Sequence, residues 1–93
     1  MQVNLFILQV YFIEKILSTA DNKKMNKKAL GLNIKAERNR KDLSQAELAE
    51  MVELSNTSIA SIEKGKQIPN AINLYLIAKA LDVDINELFK GLE

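Results

Sequence analysis

The sequence predicts an all-α fold built on one small core. Three observations carry that prediction. Hydroxyl, amide or carboxylate residues stand at helix-start positions immediately before apolar residues, at Ser44, Ser55, Asn70 and Asp84. The apolar residues that follow recur at three- and four-residue intervals, most clearly Ala71, Leu74, Ile77, Ala78 and Leu81. From Gly31 onward nothing alternates with the period of a strand. A chain of 93 residues leaves room for one core, not two.

The first segment, Val3 to Ile13, is densely apolar and carries no charge before Glu14. It is too short for a bilayer-spanning helix and lacks the basic leader and cleavage pattern of a secretory signal. Helix is the favoured reading, because Phe6, Val10, Ile13 and Leu17 share one stripe with Ile16 beside it. Its β-branched and aromatic content keeps a strand over residues 3–13 as a competitor. Two roles are open for the stripe. It packs on the chain's own core, or it makes Phe6, Val10, Ile13 and Leu17 a dimerisation surface. A further alternative makes Met25 the natural start and residues 1–24 an upstream extension.

Residues 1–24 are thus expected to be an apolar association element, 25–31 a basic connection, and 32–90 the main domain. Its first helix is expected over Leu32–Lys41, with Ile34 and Arg38 one turn apart and Asp42 in the left-handed position that ends it. Ser44 and Glu47 have capping-box spacing and open a helix to about Val52, with Ala46, Leu48, Ala49 and Val52 available for burial. Ser55 caps a helix through Lys64, on which Ile59 and Ile62 are apolar and after which Gly65 is a stop. Two short helices joined this tightly read as a helix-turn-helix. Pro69 and Asn70 open the next helix. Val83 returns to the core, and Asp84 with Glu87 has the spacing of a second capping box before Ile85, Leu88 and Phe89. The expectation is five helices in this domain.

Charge is uneven. Residues 1–30 hold five Lys against Glu14 and Asp21, a balance of +3, and residues 31–93 hold eight basic against ten acidic residues, a balance of −2. The total of +1 gives no whole-chain attraction to nucleic acid or membrane. With no His and no Cys, disulfides, thiol chemistry and His/Cys metal or haem ligation are excluded. No glycine-rich phosphate loop is present. The expectation is a protein that is not an enzyme and takes no cofactor or metal.

Leu43-Ser-Gln-Ala-Glu-Leu-Ala49, Leu54-Ser-Asn-Thr-Ser-Ile59, Ile62-Glu-Lys-Gly65, Pro69, Leu74 and Ile77-Ala-Lys-Ala-Leu-Asp-Val83 occur in order with short gaps. Together they resemble the Cro/C1-type helix-turn-helix family, that of lambdoid phage repressors and xenobiotic-response-element-type regulators, over residues 31–90. Two positions depart from it. Glu53 stands where the family usually has glycine in the turn, and Ala60 where it often has serine.

The resemblance implies a compact lambda-repressor-like DNA-binding domain and a transcriptional regulator in the cytoplasm. That regulator would be a homodimeric repressor on a two-fold symmetric site in double-stranded DNA. It puts Asn56, Thr57, Ser58 and Ser61 at base edges. It makes Gln45 a phosphate contact that also braces the first residue of the recognition helix, and it pairs Arg38 with Glu63. Lys64, Lys66 and Asn70 are natural further phosphate contacts, Lys35 and Arg40 weaker ones, and Lys23 to Lys28 a candidate arm. Asp42, Glu47, Glu50 and Glu53 are expected to lie away from the DNA. The alternative is an antitoxin-like module that binds a partner protein through residues 1–17.

Overall fold

The computed structural model describes the backbone of residues 4–22 and 26–92 and the side chains of residues 4–15 and 26–92. Six helices follow one another: α1 (Leu5–Asn22), α2 (Lys27–Arg40), α3 (Gln45–Met51), α4 (Asn56–Glu63), α5 (Ala71–Leu81) and α6 (Ile85–Leu88). No strand occurs among the described residues.

The core is a single cluster. Ile34 from α2, Leu48 from α3, Ile59 from α4, Leu74 and Ile77 from α5 and Leu88 from α6 are all fully buried in it. α2 packs on α4 and α6, α3 on α4 and α5, and α1 on α5. Asn33 fastens α2 to the end of the chain by donating to the Leu88 and Lys90 carbonyls at 2.9 and 2.7 Å.

Four helices end in the same way. A left-handed residue, Asp42, Glu53, Gly65 or Asp82, has φ of 57, 55, 77 or 56°. The next residue's N–H reaches back five positions: Leu43 to Arg38, Leu54 to Ala49, Lys66 to Ser61 and Val83 to Ala78, at 2.9–3.1 Å. This is the Schellman closure, which satisfies carbonyls the helix would leave unpaired. Three of the four left-handed residues carry a side chain, so those turns hold strain that glycine would relieve.

Several expectations change. α2 begins at Lys27, not Leu32, because Asn26 caps it: Asn26 Oδ1 accepts from the Ala29 N–H at 3.0 Å. Gly31 lies inside that helix. A Cβ there would come within 2.6 Å of the Glu63 carbonyl oxygen, so glycine is what lets α2 and α4 approach. Ala46 is exposed, because it shares the outer side of α3 with Glu50, one turn on. The Asp84–Glu87 capping box does not form. Asp84 Oδ1 accepts from the Asn86 N–H at 2.9 Å, and the Glu87 carboxylate turns to Lys90 instead. Val83 is half-buried at the edge of the core.

The apolar first segment is helical. Its stripe turns inward: Ile13 is fully buried in the chain's own core, Val10 packs against that core, and Phe6 meets Tyr75 of α5 edge-on at 4.8 Å. Ile13 is therefore not available to a second subunit. The Leu17 side chain, and Lys23, Lys24 and Met25, lie outside the described residues.

Candidate nucleic-acid interface

The site is the pair α3–α4, and local chemistry fixes both helix starts. At α3 the capping box forms: Ser44 Oγ accepts from the Glu47 N–H at 3.0 Å, and Glu47 Oε1 accepts from the Ser44 N–H at 2.8 Å. The Ser44 N–H and hydroxyl together hold the Glu47 carboxyl below its ordinary range. At α4, Ser55 Oγ accepts from the Ser58 N–H at 3.0 Å and donates to Ser58 Oγ at 2.9 Å. Ser58 is thereby tied to its own cap and is half-buried, whereas Asn56 and Thr57 are exposed.

Helical spacing sorts the rest of α4. Ile59, Ile62 and Glu63 are buried. Thr57, Ser61 and Lys64, at i, i+4 and i+7, share the opposite side. That outward stripe is uncharged until its last residue, so what it offers a partner is hydroxyls and methyl groups.

The inward end of α4 is held by a polar network. Arg38 of α2 donates from Nε to Glu63 Oε2 at 2.7 Å and from Nη2 to Glu63 Oε1 at 3.0 Å, while its Nη1 reaches the Leu43 carbonyl at 2.7 Å. The two side chains are 9% and 3% exposed, so this pair is removed from water. The hydrogen bond to Glu63, and then its charge, raise the Arg38 pKa against the opposing effect of burial. Gln45 completes the network by donating from Nε2 to Glu63 Oε1 at 3.0 Å. Three segments meet at one carboxylate, α2, the start of α3 and the end of α4, and the loop after α2 joins them through the Arg38 guanidinium.

Gln45 therefore braces the last residue of α4 and not the first. A buried carboxylate is a stronger acceptor than the exposed amide of Asn56. The Gln45 amide nitrogen has a second N–H beyond the one given to Glu63.

The flanking cations come from two segments. Lys64 and Lys66 are exposed on either side of Gly65. A Cβ on Gly65 would lie 2.8 Å from the Lys28 Cα, so the start of α2 abuts the end of α4. Exposed Lys27 and Lys28 thus join Lys64 and Lys66 at one corner, in a helix start that the sequence reading treated as an arm. Asn70 caps α5, its Oδ1 accepting from the Asn73 N–H at 2.8 Å, and remains exposed. Lys35 is exposed. Arg40 pairs at 3.0 Å with the buried Glu37, its i, i+3 neighbour on α2. Asp42, Glu47, Glu50 and Glu53 are all exposed. Among the described residues no helix is long and apolar enough to cross a membrane.

Comparison with known proteins agrees with this geometry. The helix-turn-helix family model matches residues 34–88. Repressor protein C2 of Salmonella phage P22 is 37% identical over 67 residues, 72% of this chain and 31% of that protein. The chain therefore spans about a third of the length of that repressor. The crystal structure of the P22 c2 repressor with a synthetic operator superposes with a TM-score of 0.63 at 37% identity, covering 67% of this chain and 94% of that one. The restriction-modification controller protein C.AhdI from Aeromonas hydrophila gives 0.66 at 30% identity over 68% of this chain and 96% of its own. With its capped α3, its tight turn at Glu53 and its outward-facing α4, the chain belongs to the Cro/C1-type helix-turn-helix family of DNA-binding regulators.

Proposed function

We propose that the chain is a sequence-specific regulator of transcription that binds double-stranded DNA as a homodimer and represses from a two-fold symmetric operator. The observation that carries this reading is the outward side of α4, a polar uncharged surface whose inward end is locked by the Arg38–Glu63–Gln45 network. A recognition helix has to present base-reading groups without rearrangement, and a fixed helix with an exposed first turn does so.

In this reading Asn56 and Thr57 meet base edges, with Ser61 one turn on. An asparagine amide can pair with adenine through two hydrogen bonds, and a threonine methyl can meet the methyl of thymine. Ser58 takes part only when its hydroxyl leaves Ser55. Gln45, Lys64, Lys66 and Asn70 hold phosphates, joined by Lys27 and Lys28 from the adjoining helix start. Residues 27–90, from the start of α2, form the DNA-binding unit, and the outer face of α1 serves association. Such a regulator works where the DNA is, in the cytoplasm. Few cations per subunit make binding by one copy weak, and two copies double the phosphate contacts.

Selection from a pool of random duplexes tests this. The expected result is enrichment of an inverted repeat with half-sites about one helical turn, ~10 base pairs, apart. A pool that stays random through selection would refute the reading.

A further inference from the structure

Six of the ten large hydrophobic residues exposed among the described ones lie on the first turns of α1: Leu5, Phe6, Ile7, Leu8, Tyr11 and Phe12. Phe6 leans on Tyr75. The other five lie away from the seat on α5, where Leu5, Ile7, Leu8, Tyr11 and Phe12 are 66, 57, 49, 57 and 42% exposed. Scattered single hydrophobics are ordinary on a surface, but a contiguous run on one helix marks an interaction site. We infer that this outer face of α1 is the homodimer interface, with a second copy of the same helix packed against it antiparallel about a two-fold axis near Leu8 and Tyr11.

Three arguments favour a second copy as the occupant. The first is area. Five side chains of this size at these exposures offer at most roughly 500 Å² per copy, so two copies bury up to about 1,000 Å², the least that a specific interface needs. The second is self-complementarity. The apolar run is uncharged until Glu14, and the first turn of α1 contains no acidic residue. Antiparallel pairing lays apolar run on apolar run and keeps the two Lys15 side chains, each over its own Tyr11 ring at 5.4 Å, at opposite ends of the seam. The third is position. α1 packs on α5, whereas α4 packs on α2 and α3, so the two faces are carried by different parts of the fold.

The inference deepens the homodimer reading proposed above, and its test separates the two. Sedimentation equilibrium of the full chain is expected to give the mass of two chains at micromolar concentration. Leu8→Glu/Tyr11→Glu is expected to weaken self-association at least about 100-fold while helicity and Tm stay near wild type, because both positions are exposed. Leu32→Glu, an exposed hydrophobic of α2 (53%), is expected to leave the dimer intact. The chain has no cysteine, so Leu8→Cys supplies a second readout that does not depend on the charged variant folding. Mild oxidation is expected to link Leu8→Cys into covalent dimers and to leave Leu32→Cys without a covalent link between its two copies.

A wild-type chain that stays monomeric at about 100 μM overturns the inference. So does a mass above two chains, or a Leu8→Glu/Tyr11→Glu variant that dimerises within about threefold of wild type. If the wild type dimerises through α1 but selects no DNA sequence, the interface stands and the regulator reading fails. If it selects an inverted repeat and the α1 variants dimerise normally, the regulator stands and the interface lies elsewhere.

Discussion

Arg38 grips both carboxylate oxygens of Glu63, at 2.7 and 3.0 Å, across 25 residues of sequence, and this pair joins α2 to the end of the recognition helix. Removing one partner leaves the other charge buried and unpaired, which costs about 3–5 kcal/mol. Glu63→Ala is therefore expected to lower Tm by roughly 10 °C or more and to weaken DNA binding with it. Arg38→Met/Glu63→Leu is expected to be more stable than either single variant, because no orphaned charge remains. Thermal melts of the wild type, Glu63→Ala, Arg38→Met, Glu63→Leu and the double variant check both statements. Unchanged stability with weakened DNA binding would mean that Glu63 acts at the DNA and not as a brace.

The turn between α3 and α4 holds Glu53 at a φ of 55°. A side chain in the left-handed region costs ~1 kcal/mol, and glycine relieves that while adding freedom to the unfolded chain. Glu53→Gly is expected to raise stability by about 0.5 kcal/mol and to remove one carboxylate from the surface of the helix-turn-helix. Denaturant titration reads the change as a higher midpoint at constant m-value.

Glu47 gives the fold part of its acid sensitivity. Its carboxyl is depressed by the Ser44 N–H and hydroxyl, so its contribution is complete above the ordinary carboxylate range and is lost as pH falls through the lowered folded value. Glu47→Gln keeps an acceptor for the Ser44 N–H but no longer titrates. The difference in Tm between about pH 6 and about pH 3 is expected to be smaller for Glu47→Gln than for wild type. An equal difference would show that the box contributes nothing to acid unfolding.

Base-reading and phosphate-holding residues should separate by salt and by sequence. Asn56→Ala is expected to cost about 1–3 kcal/mol on the selected operator and little on random DNA. Lys64→Ala is expected to weaken both alike and to lower the salt dependence of binding by about one counterion. Fluorescence anisotropy across a salt series distinguishes the two patterns. If both variants behave as Lys64→Ala should, Asn56 does not read bases.

Much of the architecture was legible because it is locally encoded. Ser44 with Glu47, Ser55 and Asn70 cap helices through neighbours three residues away, and the pattern of Leu74, Ile77, Ala78 and Leu81 needs only one helix to be read. What escaped depends on the fold. Gly31 reads as a break in sequence and is a contact in space, since its missing side chain admits the α4 carbonyls. Asp84 and Glu87 have the right spacing for a box, but the Glu87 carboxylate is taken by Lys90 one turn on. Gln45 turns to Glu63 because the fold brings that carboxylate, held by Arg38 from 25 residues away, beside the start of α3. The stripe of Phe6, Val10 and Ile13 was found correctly as a stripe. Which way it faced was decided by Tyr75 and the rest of α5, which periodicity within α1 does not contain.

The central claim is sequence-specific recognition by the outward side of α4, and competition binding tests it most directly. The dissociation constant of the full chain is measured at about 150 mM salt on the selected inverted repeat and on a scrambled duplex of equal length and composition. The account predicts binding to the repeat at least about 10³-fold tighter. A ratio below roughly tenfold would contradict it, leaving a helix-turn-helix that holds DNA without reading it.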